Sequence, residues 1–352
     1  MMACGTSRRN KKVLLYLIFC VAYICLLYSW TGHLKTRTKN GTSACSSSNH
    51  TPATILLWHW PFGKAYPLNG NVCWNLYKIP GCKVVDQHSE FLNADIVVFH
   101  QKELALKKQK LPLNLARPLG QRWLWMSLEA PQNHGNLSQF ANLFNLTMSY
   151  RRDADITLPY GELQPQDGEI EDFSMNKTNL LCWVVSNFKS RHKRSEVYRE
   201  LSAFVKITVY GRWKNARLPS ASLLPTISRC YFYLAFENSI SKDYITEKLW
   251  RNSYLGGAIP VVLGPPVEDY KAVAPPHSFI HVDDFASVKE LGTYLQELAA
   301  DRERYQEFFR WRQKWKVKLN TDWRERLCKI CTKYHCLPQQ KVYSDLDAWN
   351  NG

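Results

Sequence analysis

No glycine-rich loop ending in Lys-Ser or Lys-Thr occurs in this sequence of 352 residues, which excludes the phosphate cradle of the P-loop nucleotide hydrolases. Gly-x-Ser-x-Gly is missing as well, and with it the strained serine turn of the α/β hydrolases. Cys328-x-x-Cys331 has no second Cys-x-x-Cys to complete a four-ligand zinc site, so no structural metal is expected. Internal repeats are absent. Between Val13 and Gly32 there is no charged side chain, and about 20 apolar residues are what a helix needs to cross the hydrocarbon layer. One transmembrane helix is expected at residues 13–32, after a tail at 1–12. A cleaved signal peptide is the rival, but its apolar part is shorter and followed by small residues, whereas this run ends in Leu26, Leu27, Tyr28, Ser29 and Trp30.

Flanking charge does not orient the span, since Arg8, Arg9, Lys11 and Lys12 precede it and Lys35, Arg37 and Lys39 follow. Five glycosylation sequons do, because Asn40, Asn49, Asn136, Asn145 and Asn176 all come after it and glycans are added only on the lumenal side. A cytoplasmic N-terminus and a lumenal remainder follow. Cys4, Cys20 and Cys25 belong to the tail or span, while eight other cysteines lie where disulfides persist. Eight thiols allow 105 pairings, so arithmetic names none. The formal charge of +16 would suit nucleic acid, but a lumenal chain does not meet it, leaving phosphates and acidic sugars as anionic partners. Lys107, Lys108 and Lys110, and the stretch Lys314 to Lys318, read as solvated helix faces.

With 45% hydrophobic residues the chain can build two cores. Residues 33–53 are polar and aperiodic, as in a flexible stem. Apolar runs then alternate with helix-like stretches at Ile55 to Trp58, Asp95 to His100, Trp123 to Ser127 and Leu143 to Ser149, which suggests a parallel sheet. A polar, acidic linker is placed around Gln164 to Thr178. A second series follows at Leu181 to Ser186, Lys206 to Tyr210, Tyr231 to Phe236, Ile259 to Leu263 and Phe279 to Val282. Ser287 to Ala300 and Asp301 to Lys318 read as long amphipathic helices. The expected architecture is therefore two α/β units, 54–165 and 178–320, facing one another across a cleft, with a C-terminal segment at 321–352.

Ligands of open α/β sheets bind beyond the carboxyl ends of strands, so polar residues there carry the chemistry. Glu129 follows a strand and precedes Pro131; it can act as general base on a sugar hydroxyl, or can be an ordinary loop carboxylate. Ser186 and Asn187 end another strand, and the helix after them bears Arg191, His192, Lys193 and Arg194, a phosphate site or a solvated basic helix. Thr246 is a candidate N-cap that places Glu247 and Lys248 in a first helical turn. A cation there is unfavourable unless an anion lies between, so Lys248 suggests a bound phosphate, or is a lysine that simply points to water. Asp153 and Asp155 look like a metal-holding pair, but Arg151 and Arg152 compete for those carboxylates.

Trp58-His59-Trp60-Pro61-Phe62, Ser149-Tyr150-Arg151-Arg152-Asp153, Phe236-Glu237-Asn238, Asp243-Tyr244-Ile245-Thr246-Glu247-Lys248 and Ile259-Pro260-Val261-Val262-Leu263-Gly264 resemble the alpha-1,3-fucosyltransferases, glycosyltransferase family 10, from about Thr54 to Trp349. The resemblance implies two Rossmann-like domains of the GT-B type, acceptor-binding at 54–165 and donor-binding at 178–320, on a single-pass Golgi membrane anchor. It implies inverting transfer of fucose from GDP-fucose without an obligatory cofactor or metal. Glu129 is then the catalytic base, and Tyr160, Ser186, Asn187, Arg194, Tyr233, Asn238, Tyr244, Glu247 and Lys248 bind GDP-fucose. Trp60, Phe62 and Lys64 lie where the acceptor stacks, with Lys64 replacing a polar amide of a related member. It also implies the disulfides Cys73 with Cys328, Cys82 with Cys331 and Cys182 with Cys230, leaving Cys45 and Cys336 unassigned. Trp58 to Phe62 and Thr321 to Arg326 are most similar to the leukocyte type, which fucosylates sialylated lactosamine on glycoproteins and glycolipids. Ser220 and Ser222 depart from that type, which has cysteines there. Glycan acceptors and the Golgi membrane are the implied partners, and a homodimer is admitted. Two other functions remain open on the residues alone: a glycoside hydrolase pairing Glu129 with Glu237 or Glu247, and a non-catalytic sugar receptor.

Overall fold

Runs of branched apolar residues form parallel strands when layers on both faces cover every side chain. Residues 52–106, 110–167 and 176–352 are described by this computed structural model, all within one unit, Asn49–Gly352. The expected tail, transmembrane helix and most of the stem, with Asn40, Cys45 and Asn49, lie outside the described residues, as do Lys107 and Lys108. Among the described residues no helix is long and apolar enough to cross a membrane.

The first sheet contains Ala53–Leu57 (β1), Cys82–Val85 (β2), Ile96–His100 (β3), Arg122–Ser127 (β4), Leu146–Ser149 (β5) and Ile156–Thr157 (β6), in the order β2-β1-β3-β4-β5-β6. All neighbours are parallel. β1, β3, β4 and β5 are buried at every position, which is why they stand out as continuous apolar runs. β2 was not anticipated: at the sheet edge it alternates buried Cys82 and Val84 with exposed Lys83, too short a pattern to register. Helix Val72–Tyr77 (α1) precedes it, capped by the Asn71 side chain, which accepts from the Trp74 N–H.

After Gly161–Pro165 (β7), the second sheet contains Asn179–Val184 (β8), Ile207–Tyr210 (β9), Cys230–Phe236 (β10), Ile259–Leu263 (β11) and Ile280–His281 (β12), in the order β12-β11-β10-β8-β9. Lys193–Leu201 (α2) and Val288–Ala300 (α3) cover one face; Leu291, Leu295 and Leu298 of α3 are fully enclosed, and Ser287 caps it by accepting the Glu290 N–H.

The helix expected over Asp301 to Lys318 is a correction. Only Arg302–Glu307 is α-helical, and Trp315–Leu319 (β13) pairs antiparallel with β7. Lys316 and Lys318 thus lie on a strand, not on a solvated helix face. Val317 and Leu319 pack on the second core, so tertiary pairing overrides the helical pattern. Beyond it, Trp323–Lys333 (α4) and Leu346–Asn351 (α5) pack back on the first sheet, with Leu327, Ile330 and Leu346 buried there.

Disulfides fasten this return. Cys73 of α1 is bonded to Cys328 and Cys82 of β2 to Cys331, across sequence separations of 255 and 249. Loops of that length restrain the unfolded chain most strongly in the entropic account. Cys182 joins Cys230 between β8 and β10, and Cys336 is disulfide-bonded as well. Cys328-x-x-Cys331 is therefore spent on two covalent links.

One expected glycan acceptor is corrected. Asn145 is buried; its Oδ1 accepts the Trp123 N–H at 2.9 Å and its Nδ2 donates to the Lys341 carbonyl at 2.8 Å. A glycan on that nitrogen has no room, whereas Asn136 and Asn176 are exposed. Asn145→Gln is expected to leave glycan mass unchanged and to destabilise by about 1–3 kcal/mol, because a buried N–H loses its acceptor. Intact-mass and thermal-unfolding measurements check this; loss of one glycan's mass would refute it.

Candidate active site

Each sheet reverses its strand order once, between β1 and β3 and between β8 and β10. At such a reversal the loops leave toward opposite faces and open a crevice at the carboxyl ends. Trp60, Phe62 and Lys64 follow β1, Ser186 and Asn187 follow β8, and Asn238 follows β10, so topology alone brings each set to a crevice. At the second reversal lies a cavity of about 440 Å³, lined by Asn187, Arg191, His192, Arg194, Glu237 and Asn238 and, from the first-sheet half, by Gln132 and Asn133. A larger hollow of about 750 Å³ near Tyr294, Phe308 and Trp315 contains none of the candidate residues.

Arg194 is only 6% exposed, and burial opposes its charge, offset in part by Glu237, Tyr244, Tyr233 and Glu247. Its guanidinium donates to the Asn187 and Phe236 carbonyls, while Nε is buried without a partner among the described residues. His192 Nδ1, Ser195 Oγ and Asn238 Oδ1 are likewise buried and unpartnered there. Such groups are costly unless a ligand engages them, and the sequence did not single out Ser195. With Lys189, Arg191 and Lys193 on the rim against one carboxylate, Glu237, the cavity favours a diphosphate.

Lys248 opens a π-helix, Lys248–Leu255, a form common at functional sites. Thr246 precedes it and its hydroxyl lies 3.5 Å from the Lys248 N–H. The anions beside Lys248 are the protein's own carboxylates, so its place at a helix start is not by itself a sign of phosphate. Lys248 Nζ donates to Glu237 Oε2 at 2.8 Å and to Glu247 Oε1 at 3.3 Å. Burial works against protonated Lys248, but Glu237 and Glu247 outweigh it and raise its pKa. Burial raises the Glu237 carboxyl, and Lys248 and the Thr246 N–H act the other way. Gly264 permits this packing: a Cβ there would lie 3.0 Å from Glu237 Cγ and 2.8 Å from Tyr270 Oη.

The Tyr233 side chain is held inside the core. It has no exposed surface, and its hydroxyl accepts from Asn252 Nδ2 at 3.0 Å, so it props the π-helix from within the core. Tyr160 and Tyr244 lie where the halves meet: Tyr244 packs edge-on against Tyr150 at 5.0 Å, and the Tyr160 hydroxyl donates to the Leu128 carbonyl at 2.6 Å. Burial, then Glu247, Glu129 and Glu237, push the Tyr160 phenol well up.

Glu129 sits one residue beyond Leu128, half-buried, and Oε2 accepts from Asn133 Nδ2 at 3.1 Å. Asn133 lines the same cavity as Arg194 and Glu237. The turn is anchored from behind: Ser127 Oγ accepts the Glu129 N–H at 3.2 Å and meets His134 Nε2 at 2.7 Å, and His134 Nδ1 donates to Asn350 Oδ1 at 2.8 Å. Burial lowers the His134 pKa to about 4, with Asn350 opposing, so the ring is neutral near pH 7.

On the acceptor side, Trp60 Nε1 donates to Asp86 at 2.8 Å and its ring meets Tyr66 at 5.5 Å. Phe62 is 60% exposed, while its N–H donates to Glu103 Oε1 at 2.7 Å. Burial would raise the Glu103 carboxyl, but His100 and that N–H bring it below its usual value. Lys64 is exposed, with Nζ 5.3 Å from the Tyr66 ring centre.

Sequence reasoning missed the residues that couple the halves. Arg152 joins Asp243 and Asp269, each at 2.5 Å, and Asp243 adopts φ 59° at this junction. Arg151 grips Asp153, which Lys242 also reaches, and Asp155 is taken by Thr147, Lys341 and Tyr343. Both candidate metal-holding carboxylates are thus engaged within the protein.

Residues 50–161 match the family described as "Fucosyltransferase, N-terminal", and 174–349 the family "Glycosyltransferase family 10 (fucosyltransferase) C-term". The chain is 46% identical over 297 residues to alpha-(1,3)-fucosyltransferase 7 of Rattus norvegicus, covering 84% of this chain and 79% of the relative. Over 310 residues it is 44% identical to the Homo sapiens protein of that name, covering 86% and 89%. It is 40% identical over 296 residues to 4-galactosyl-N-acetylglucosaminide 3-alpha-L-fucosyltransferase 9 of Bos taurus, covering 84% and 81%. A crystal structure of an alpha1,3-fucosyltransferase with GDP-fucose shares the fold at TM-score 0.55 and 17% identity, over 85% of this chain and 95% of that one. By sequence, therefore, and with a matching two-sheet fold, the chain belongs to glycosyltransferase family 10, the fucosyltransferases.

Proposed function

We propose that this enzyme transfers L-fucose from GDP-fucose, with inversion, in alpha-1,3 linkage to the GlcNAc of sialylated N-acetyllactosamine on glycoproteins and glycolipids. It does so as a single-pass type II protein of the Golgi membrane, with its catalytic part lumenal. One observation carries the chemical reading: Asn133, bonded to Glu129, lines the same cavity as Arg194 and as Glu237, the partner of Lys248. Glu129 takes the proton of the attacking hydroxyl, and Arg194 and the helix-start amides stabilise the departing diphosphate. Lys248 contributes charge while shared with Glu237. Of the two glycosidase pairings, Glu129 with Glu237 is disfavoured because Glu237 is enclosed in that ion pair; Glu247, with its side chain 40% exposed, leaves the other pairing to the transfer assay.

Incubating the full-length chain with GDP-fucose and a panel of sialylated and neutral lactosamines, with product linkage identified, tests this directly. Fucose release without transfer, or another linkage, would overturn it. Lys64→Ala is expected to reduce the preference for sialylated over neutral acceptor about two- to fivefold, the range of an exposed charge contact. An unchanged ratio of kcat/KM values would reject that role for Lys64.

A further inference from the structure

Arg326 is a largely buried cation with no counter-ion among the described residues. It lies on α4, 8% exposed, with Nε donating to the Asn320 carbonyl at 2.8 Å and the guanidinium carbon 4.3 Å from the centre of the Trp323 ring. Its two terminal nitrogens have no hydrogen-bond or ion-pair partner among the described residues, although a guanidinium offers five N–H donors. Asp322, the carboxylate that favours its charge, is occupied: it binds Arg324 at 2.8 and 3.2 Å and accepts the Tyr77 hydroxyl at 2.7 Å. Burial works against the charge on Arg326, and the groups that favour it are Tyr160, Tyr66 and Asp322.

Those neighbours put Arg326 on the acceptor side of the crevice. Trp323, on which it stacks, meets Phe62 at 6.2 Å, and Tyr66 meets Trp60 at 5.5 Å. Tyr66 also has Lys64 and Arg324 near its ring, at 5.3 and 5.7 Å. Three cations thus surround one aromatic wall, and only Arg324 is neutralised. A guanidinium whose stem is buried while its unpaired tips stay open to solvent presents a fixed fork of donors to a ligand anion.

We infer that Arg326, aided by Lys64, recognises an anionic substituent on the acceptor sugar and sets the preference for charged over neutral acceptors. Carboxylate and sulfate ester share the delocalised oxygens that a guanidinium fork matches, so either class fits. The inference rests on the fucosyl-transfer reading above.

The test uses the full-length chain, GDP-fucose, and sialylated, sulfated and neutral lactosamines, with Arg326→Gln, Arg326→Lys and Lys64→Ala. Arg326→Gln is expected to lower the kcat/KM ratio of anionic to neutral acceptor about tenfold or more, mainly through KM, as for a lost charge-assisted hydrogen bond. Arg326→Lys recovers part of it. Lys64→Ala lowers the same ratio less, and being exposed it does not depend on tolerance of a core change. Whichever ratio falls, sialylated or sulfated, names the substituent. Ratios unchanged in Arg326→Gln and Lys64→Ala, or a parallel loss on charged and neutral acceptors, would assign Arg326 to packing against Trp323 and overturn the inference while leaving fucosyl transfer standing. Failure of the unmodified chain to fucosylate any acceptor overturns both.

Discussion

Glu129→Gln is expected to lower kcat by about a hundred- to ten-thousand-fold, the range for removing a general base, with KM for GDP-fucose little changed. The amide oxygen of the substituted side chain can still accept from Asn133, and the anchors behind the turn, Ser127 and His134, are untouched, so geometry survives while basicity is lost. Steady-state kinetics with saturating acceptor reads the effect. If kcat were undiminished, no role for Glu129 as the base would remain, and proton removal would have to be sought elsewhere in the crevice. A rise in the KM for GDP-fucose matching the loss would point instead to donor binding.

Lys248→Ala should destabilise the fold by about 3–5 kcal/mol, as when one partner of a buried ion pair is removed. Its side chain is 16% exposed and that of Glu237 1% exposed, so solvent does little to rescue the stranded carboxylate. Thermal unfolding measures this, and GDP affinity, measured below the transition, is expected to fall with it. The double variant Lys248→Met with Glu237→Gln separates the causes: it should regain much of the lost stability, because the enclosed carboxylate is gone and Glu247, its side chain 40% exposed, can be solvated, while GDP remains weakly bound. A Lys248→Ala protein as stable as the parent would show that Glu237 finds another partner or protonates at no cost. Recovery of GDP affinity in the double variant would confine Lys248 to a structural role.

The two expected results draw on different levels of information. The place of Glu129 just beyond a strand was legible because a strand ending before a carboxylate and a proline is a local pattern. Lys248 was legible as an oddity, a cation at a helix start, but its partner was misread. Glu237 is 11 residues away and joins Lys248 only because the β10 and π-helix ends converge. The setting of the Tyr233 side chain was hidden for a related reason. Its position in a buried strand was clear, but which face of β10 turns toward the π-helix depends on the packing of both. Asn145 satisfies a three-residue glycosylation pattern, which carries no information on burial.

Strands buried on both faces, helix caps, cysteine-rich ends and the points where chains leave the sheets follow from short-range composition, because apolar periodicity and turn chemistry act over a few residues. Those features determined two α/β halves and the loops that carry chemistry. Tertiary structure alone decided that β13 is a strand, that Arg152 ties the halves through Asp243 and Asp269, and that Arg326 is largely buried with no acid paired to it among the described residues. Each depends on groups far apart in the chain meeting in a medium of low dielectric, where the identity of the neighbour, and not the residue itself, sets whether a charge is satisfied.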